Sequence, residues 1–263
     1  MEELKVAYFQ RDLTWEDKQQ NFADIELELS KNTEPFDLLV LAEAFATGFT
    51  DNIKAVSEPP QSETFIWMSS VSKLYNIAVV GSCFVEDGGH YYNRLYWVKP
   101  SGEWGYYDKR HLFRIGVESE VMTSGASKTI FELKGWRISP FVCYDLRFPV
   151  WMRNRCDAGA FDYDLALVVA SWPAKRTNVW KQLLVARAIE NMSYVVGVNR
   201  IGKDSNEVSF SGDSRVVNYK GDIVDEISTN ENCLSIVALS REKLFTFREK
   251  MPFYLDWDEF EVK

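Results

Sequence analysis

Two stretches of the chain alternate apolar runs with helical patterns, and this alternation constrains the fold more than any other feature. Helical patterns separate the apolar runs of the first stretch, which lie at 4–10, 38–42 and 77–84. In the second stretch, apolar runs at 165–170 and 194–199 flank an amphipathic pattern at 178–191. Such an order is typical of α/β proteins. The sequence therefore predicts an α/β fold with two similar halves.

Hairpins and a capped helix complete the predicted architecture. Antiparallel hairpins are predicted for two pairs of β-rich runs, 91–98 with 104–107 and 129–133 with 136–142. Thr14 is the predicted N-cap of the first helix, whose apolar residues would be Trp15, Phe22, Ile25, Leu27 and Leu29. Two packed sheets with helices outside would form a four-layer α-β-β-α sandwich. We expect one domain over residues 1–263.

Charge and residue counts exclude several classes of function. The chain has 30 Lys and Arg against 39 Asp and Glu, a net charge of −9, which disfavours nucleic acid and anionic membranes as partners. No apolar stretch approaches the roughly 18 residues of a membrane span, and the N-terminus lacks signal-peptide features. Two histidines and four separated cysteines predict no metal site. These features favour a cytoplasmic protein with reduced thiols.

The apolar run at 38–42 ends in Glu43, a carboxylate at the end of a predicted buried strand. Burial at this position would favour proton uptake, which a general base requires. Glu43 is therefore a candidate general base. The alternative is that Glu43 begins a solvated loop, because many titratable residues at strand ends have no catalytic function.

A charged cluster, Asp108-Lys109-Arg110-His111, follows the predicted strand at 104–107. Lys109 could stabilise an oxyanion and lower the pKa of a nearby thiol. The alternative is that Lys109 and Arg110 are solvated turn residues. His111 has a competing interpretation as the base of a Cys-His pair, although a lone histidine more often has a structural role.

Cys143 lies where the predicted strand at 136–142 passes into a turn. A nucleophile at such an elbow is exposed, and the next backbone N–H, that of Tyr144, can help to form an oxyanion hole. An isolated cysteine is usually a small buried hydrophobe, and we expect that role for Cys83, Cys156 and Cys233. Cys143 differs from these three because polar residues surround it.

With Glu43, Lys109 and Cys143 in this order, the chain resembles the nitrilase (carbon-nitrogen hydrolase) superfamily, most closely its omega-amidase branch. The matching motifs are Leu41-Ala42-Glu43-Ala44-Phe45-Ala46-Thr47-Gly48-Phe49, Tyr107-Asp108-Lys109-Arg110-His111-Leu112-Phe113 and Cys143-Tyr144-Asp145-Leu146-Arg147-Phe148-Pro149. The likeness continues through 170–173, 186–191 and 210–214, and so covers most of the chain. One departure is Ala42, where the family usually has proline; it concerns backbone stiffness and leaves the three motif residues in place.

The resemblance implies hydrolysis of the terminal amide of 2-oxo dicarboxylic acid monoamides without a cofactor. It implies Cys143 as nucleophile, Glu43 as general base and Lys109 as the cation at the oxyanion. A second family glutamate is placed on Glu118, with Glu120 as the fallback. Alternatives are another amide substrate, such as an N-carbamoyl amino acid or an aliphatic amide, and a catalytically silent binding or scaffold protein.

A 2-oxo acid amide carries a carboxylate, so a cation is expected beside the pocket. The candidates for substrate binding are Arg147, Ser171, Trp172, Lys175, Arg176 and Phe49, with Phe45 as a further wall of the pocket. For each cation the alternative is a surface ion pair, and for each aromatic it is core packing. The resemblance also implies a homodimer, in which the tail at about 251–263 could contact the second subunit or dock on its own.

Overall fold

The computed structural model describes residues 3–259 and 261, and most of its strands belong to two six-stranded sheets. The strands are, in chain order, β1 Glu3–Gln10, β2 Leu38–Val40, β3 Ala78–Asp87, β4 His90–Val98, β5 Trp104–Asp108, β6 Phe131–Leu133, β7 Trp136–Val142, β8 Cys156–Asp157, β9 Ala160–Phe161, β10 Leu165–Ala170, β11 Tyr194–Asn199, β12 Ile201–Lys203, β13 Ser209–Ser211, β14 Arg215–Val217, β15 Ile223–Glu226 and β16 Cys233–Ser240.

Helices connect the strands of each sheet. The α-helices are α1 Lys18–Lys31, α2 Ile53–Val56, α3 Glu63–Tyr75, α4 Glu118–Val121, α5 Pro149–Met152, α6 Thr177–Glu190 and α7 Arg241–Lys250. Three short 3₁₀ turns lie at Cys143–Arg147, Ala174–Arg176 and Phe253–Asp256. Within the described residues, no helix is long and apolar enough to cross a membrane.

The two sheets have related topologies. The first has the order β16-β1-β2-β3-β4-β5, in which β1, β2 and β3 are parallel and the outer strands are antiparallel. The second has the order β15-β14-β11-β10-β7-β6, in which β7, β10 and β11 are parallel. The predicted similarity of the two halves is visible in these parallel triplets. However, β16 returns to pair with β1, so the end of the chain completes the first sheet.

Burial on both faces of the strands explains their continuous apolar runs. In β1, Val6 and Tyr8 face the second sheet, whereas Ala7 and Phe9 pack on α1 and α3. On the other side of the molecule, Trp180, Leu184 and Ala188 of α6 pack on the second sheet. The layers are therefore helix, sheet, sheet and helix, which confirms the predicted four-layer sandwich.

The prediction of Thr14 as the N-cap of the first helix is wrong. The helix begins at Lys18, and the Asp17 carboxylate accepts a hydrogen bond from the Gln20 N–H at 3.0 Å. The backbone of Thr14 is instead paired with the Asn21 side chain, which accepts from the Thr14 N–H at 2.9 Å and donates to its carbonyl at 2.7 Å. Trp15 consequently lies outside the helix.

The aromatic tail docks partly on its own chain. Tyr254 and Trp257 pack edge-on against Phe161, at centroid distances of 5.1 and 5.8 Å. Phe253 and Leu255 are 52% and 72% exposed. Residues 260, 262 and 263 of the predicted tail lie outside the described residues.

Candidate active site

The candidate site forms where several strands of the two sheets end. Cys143 follows β7 directly and Ser171 follows β10 directly, and these strands are parallel neighbours. The Cys143 Sγ lies 4.0 Å from the Ser171 carbonyl oxygen. From the facing sheet, Lys109 follows β5 directly and Glu43 lies three residues after β2. Residues far apart in sequence therefore converge because parallel strands end at the same edge.

Lys109 lies between two carboxylates in the interior of the protein. Its Nζ is 2.9 Å from the Oε1 of Glu43, and 2.8 and 2.9 Å from the two carboxylate oxygens of Glu118. The side chains of Lys109 and Glu43 are each 1% exposed, and that of Glu118 is 0% exposed. Glu120 is exposed to solvent. The geometry thus brings Glu118, and not the fallback Glu120, to the lysine.

Further donors fix both carboxylates. The Asn93 Nδ2 donates to the Oε1 of Glu43 at 2.8 Å, and the Ser171 N–H donates to its Oε2 at 2.8 Å. The Phe113 N–H donates to the Oε2 of Glu118 at 2.6 Å. Each carboxylate is therefore held by a cation and by at least one neutral donor, which compensates for burial.

The pKa values of these groups shift in directions that suit a neutral resting thiol. Burial by itself would lower the pKa of Lys109, but Glu118 and Glu43 raise it, so the ammonium stays charged. Burial, together with the Glu43 carboxylate, raises the pKa of Glu118, although Lys109 acts in the opposite direction. Burial and the Glu43 carboxylate raise the pKa of Cys143 well above its ordinary value, although Lys109 acts in the opposite direction. Lys109 thus acts on the pKa of the Cys143 thiol in the direction expected from the sequence, but burial and Glu43 outweigh it.

A tight turn presents Cys143 between β7 and the 3₁₀ turn that follows. Cys143 has a φ of 45°, in the left-handed region that non-glycine residues rarely adopt. The buried Asp145 carboxylate stabilises this turn by accepting from the Val142 N–H at 3.1 Å. It also accepts from the Tyr107 hydroxyl at 2.7 Å. Asp145 thereby connects the cysteine turn to β5, the strand that ends directly before Lys109.

His111 is brought to Asp145 and not to the thiol. Its Nδ1 lies 2.8 Å from the Asp145 Oδ1, and its ring stacks on Phe148 with a centroid distance of 3.8 Å. The groups around the Cys143 thiol are Glu43, Lys109 and the Ser171 carbonyl. The geometry therefore favours a Glu43 base over the competing Cys-His pair, and gives His111 a structural position.

A cavity of about 310 Å³ opens at the thiol. Eleven of the residues predicted for the site line it: Glu43, Phe49, Lys109, Glu118, Cys143, Tyr144, Arg147, Ser171, Trp172, Lys175 and Arg176. Phe45 is the exception among the expected pocket walls. It is 1% exposed and packs in the outer layer against Phe22 and Trp67, at centroid distances of 6.3 and 5.6 Å.

Three cations lie around this cavity with aromatic neighbours. The Arg147 guanidinium is 4.9 Å from the centroid of Trp172, and that of Arg176 is 5.5 Å from the centroid of Phe113. Lys175 is exposed at the rim. Over residues 3–259 and 261, none of the three forms a salt bridge. Their charge is therefore available to an anionic group in the cavity.

Several residues of the site carried no usable sequence signal. Asn93 donates to the Glu43 carboxylate, Asp145 stabilises the cysteine turn, and Asp51, Asp204 and Asn206 belong to the cavity wall. Asn93 stands out in the sequence only as a polar residue inside a hairpin strand, which does not identify its partner. Among the residues that the structure describes, no group of three or more His, Cys, Asp or Glu side chains could hold a metal ion.

Comparison with known proteins assigns the family. A model of the carbon-nitrogen hydrolase family matches residues 5–249. The chain belongs to the carbon-nitrogen hydrolase family. It is 41% identical to omega-amidase YafV of Escherichia coli K12 over 98% of each chain. It is 28% identical to a 2-oxoglutaramate amidase of Bacillus subtilis, over 95% of this chain and 96% of that protein.

A solved structure of the carbon-nitrogen hydrolase superfamily matches the whole chain. This protein, from Xanthomonas campestris, is described with an arsenic adduct in its active site. It is 38% identical in sequence, covers 100% of both chains and superposes with a TM-score of 0.97. The two-sheet architecture of this chain is thus the fold of its family.

Proposed function

We propose that this carbon-nitrogen hydrolase cleaves the terminal amide of 2-oxo dicarboxylic acid monoamides, such as 2-oxoglutaramate and 2-oxosuccinamate, to the acid and ammonia. The observation that carries the proposal is a cavity in which the Cys143 thiol faces the Glu43 carboxylate, beside cations that form no salt bridge within the described part of the chain. The names of the relatives in Escherichia coli and Bacillus subtilis support the same activity.

The first half-reaction forms a thioester. Glu43 takes the proton of the Cys143 thiol, and the sulfur attacks the amide carbon of the substrate. A base is required because burial keeps the resting thiol protonated. Protonated Glu43 then donates its proton to the amide nitrogen as the carbon–nitrogen bond breaks, and ammonia leaves.

The second half-reaction hydrolyses the thioester. Water enters at the position that ammonia vacated, and Glu43 removes a proton from it. The resulting attack releases the carboxylic acid, and the proton returns to Cys143. One carboxylate therefore acts as base and acid in turn, which requires that it remain fixed beside the sulfur throughout.

Lys109 and the Tyr144 backbone N–H are the proposed donors to the oxyanion. The Lys109 ammonium has three hydrogens, and two of them suffice for the contacts with Glu43 and Glu118, so the third can donate to the substrate. Tyr144 follows Cys143 at the start of the 3₁₀ turn, where backbone N–H groups lack helical partners. Glu118 positions the ammonium.

Arg147 is the proposed partner of the substrate carboxylate. It lies four residues after the nucleophile, lines the cavity and is held over the Trp172 ring. A guanidinium can bind a carboxylate through two parallel hydrogen bonds. Lys175 and Arg176 would add positive charge at the rim, while Phe49, Ser171 and Trp172 form the walls.

The test is ammonia release from a panel of amides. We expect a higher kcat/KM for 2-oxoglutaramate and 2-oxosuccinamate than for glutamine, asparagine, an N-carbamoyl amino acid and an aliphatic amide. Cys143→Ala should abolish release from every substrate. A preference for the N-carbamoyl or aliphatic compound would refute the proposed substrate class, and an active Cys143→Ala protein would refute the nucleophile.

We further propose that the chain acts as one domain and associates as a homodimer. The exposed apolar side chains of Phe253 and Leu255, beside the docked Tyr254 and Trp257, support a role of the tail in association. Light scattering coupled to size-exclusion chromatography would measure the mass. A monomer mass at micromolar concentration would contradict the dimer.

A further inference from the structure

Asn93 contacts the buried cluster formed by Glu43, Lys109 and Glu118 but does not belong to the cavity wall. It is in β4, where it faces Phe84 of β3, and it is 1% exposed. Its backbone carbonyl accepts from the Lys109 N–H at 3.0 Å. Asn93 therefore contacts the backbone of the lysine from behind, while its side chain contacts the carboxylates.

The orientation of the Asn93 amide is determined by its neighbours. Its Nδ2 donates to the Oε1 of Glu43 at 2.8 Å and, in a longer contact of 3.4 Å, to the Oε1 of Glu118. An ionised carboxylate only accepts hydrogen bonds, so the opposite amide orientation would place two acceptors against each other. In this orientation the Oδ1 points away from both carboxylates. It is buried, and it has no hydrogen-bond partner among the described residues.

An unsatisfied buried acceptor is destabilising, and such costs persist where function requires the arrangement. We propose that Asn93 is a positioning residue that holds the Glu43 carboxylate, in its ionised form, against the Cys143 thiol. This inference rests on the proposed function only in taking Glu43 as the base. Asn93 touches neither the thiol nor the cavity and acts through Glu43.

The Asn93 amide donates a hydrogen bond to Glu43 without adding a charge beside it, which a charged side chain could not do. The titratable groups that face Glu43 are Lys109, Glu118 and Cys143, from three different elements. A second cation would compete with Lys109 for both carboxylates, and a third carboxylate would repel them. A neutral donor stabilises ionised Glu43 and leaves the charge of the cluster unchanged.

Loss of this donor should change the pH dependence of the base. In Asn93→Leu, ionised Glu43 loses a hydrogen bond, so the acid limb of activity should move upward by about one pH unit. We expect kcat to fall by about ten- to a hundredfold. KM should stay within about twofold of wild type, because Asn93 lies outside the cavity wall.

For Asn93→Asp we expect the opposite pH trend, with the larger loss of activity at alkaline pH. A protonated aspartic acid side chain at position 93 can donate to Glu43 as the amide does, whereas an ionised one cannot donate and repels both glutamates. The activity of this variant relative to wild type should therefore rise as the pH falls. The relative activity of Asn93→Leu should fall as the pH falls.

The experiment measures alkylation of Cys143 by iodoacetamide against pH, quantified by peptide mass mapping, together with ammonia release. Alkylation requires the thiol proton to be removed but requires no particular amide substrate. Asn154→Leu is the matched control, because the Asn154 Nδ2 is buried and donates to the carbonyls of Tyr163 and Asn191 at 2.9 and 3.0 Å. It should lose stability and keep the wild-type pH profile.

Opposite pH trends of the two Asn93 variants would support the proposal. A profile of Asn93→Leu that matches Asn154→Leu would overturn it. If Asn93→Leu fails to fold, the trend of Asn93→Asp decides alone, and a constant ratio to wild type would overturn the proposal. If the wild type releases no ammonia from 2-oxo acid amides, the proposed function is refuted. A shifted pH profile of Cys143 alkylation in the Asn93 variants would in that case still support the role of Asn93.

Discussion

Replacing Lys109 by methionine would test whether the buried charge cluster stabilises the fold as well as the reaction. Methionine has a similar length and no charge, so the substitution removes the ammonium without opening a large cavity. It leaves Glu43 and Glu118 buried without their cation. We expect the free energy of unfolding to fall and the activity to be lost.

The size of the effect follows from the contact distances. At 2.8 Å and an effective dielectric constant of about 20, each ion-pair contact corresponds to roughly 6 kcal/mol of Coulomb energy. Desolvation of the ammonium offsets much of this attraction, and removal of one partner from a buried pair typically costs about 3–5 kcal/mol. Loss of one oxyanion donor lowers kcat by a further, separate factor of about 10² to 10³.

The loss of stability should depend on pH. In the wild type, the raised pKa of Lys109 contributes stability that is fully present below the ordinary pKa of lysine, so this contribution is constant near neutral pH. Burial already raises the pKa of Glu118, and without Lys109 it would rise further. The folded variant then binds a proton more tightly than its unfolded chain, so its stability should increase as the pH falls and decrease as it rises.

Urea unfolding, followed by tryptophan fluorescence at about pH 5.5 and pH 8, would measure these free energies. Lys109→Met/Glu118→Gln is the matched double variant, since it removes one of the two uncompensated carboxylates. It should be more stable than Lys109→Met at pH 8 and remain inactive. A single variant within about 0.5 kcal/mol of wild type at both pH values, or a double variant that regains nothing, would refute the reasoning.

Three further substitutions test other parts of the structure. Arg147→Leu should raise KM for 2-oxo acid amides by about ten- to a hundredfold and leave a neutral amide unaffected, as ammonia-release kinetics would show. His111→Ala should lose less kcat/KM than Glu43→Gln, whereas a Cys-His mechanism requires the reverse order. Burial alone would raise the pKa of Asp213, but hydrogen bonds from Lys181, Ser211, Thr177 and Thr229 lower it to about 2. The wild type should therefore exceed Asp213→Asn in stability by about 1–2 kcal/mol above pH 4 and lose this difference as the pH falls toward 2, measured by urea unfolding.

Two charged residues of the candidate site, Glu43 and Lys109, could be singled out from the sequence alone, whereas their roles and the choice of Glu118 followed from the family resemblance. Glu43 ends an apolar run, and Lys109 follows an antiparallel strand, so the residue type itself is the signal. Their partner Asn93 could not be predicted in this way. It lies 50 residues from Glu43 in sequence, and its short contact with that carboxylate exists only because the sheet places β4 one strand away from β2, across β3. A neutral side chain in a hairpin strand does not indicate which carboxylate it will meet.

The two phenylalanines after Glu43 show how backbone conformation decides which side chain reaches the cavity. Ala44 and Gly48 have φ values of 49° and 75°, so the segment between them turns tightly. A Cβ at position 48 would lie 2.9 Å from the Trp15 ring, so glycine is required there for space as well as for φ. This turn directs Phe45 into the outer layer and Phe49 toward the cavity, where the Lys109 Nζ lies 5.3 Å from its ring. Gly48 marks the turn in the sequence, but Ala44 does not, because alanine rarely adopts a left-handed conformation. The correct choice between Phe45 and Phe49 therefore depends on the φ of Ala44, a property of the folded chain that composition and spacing do not contain.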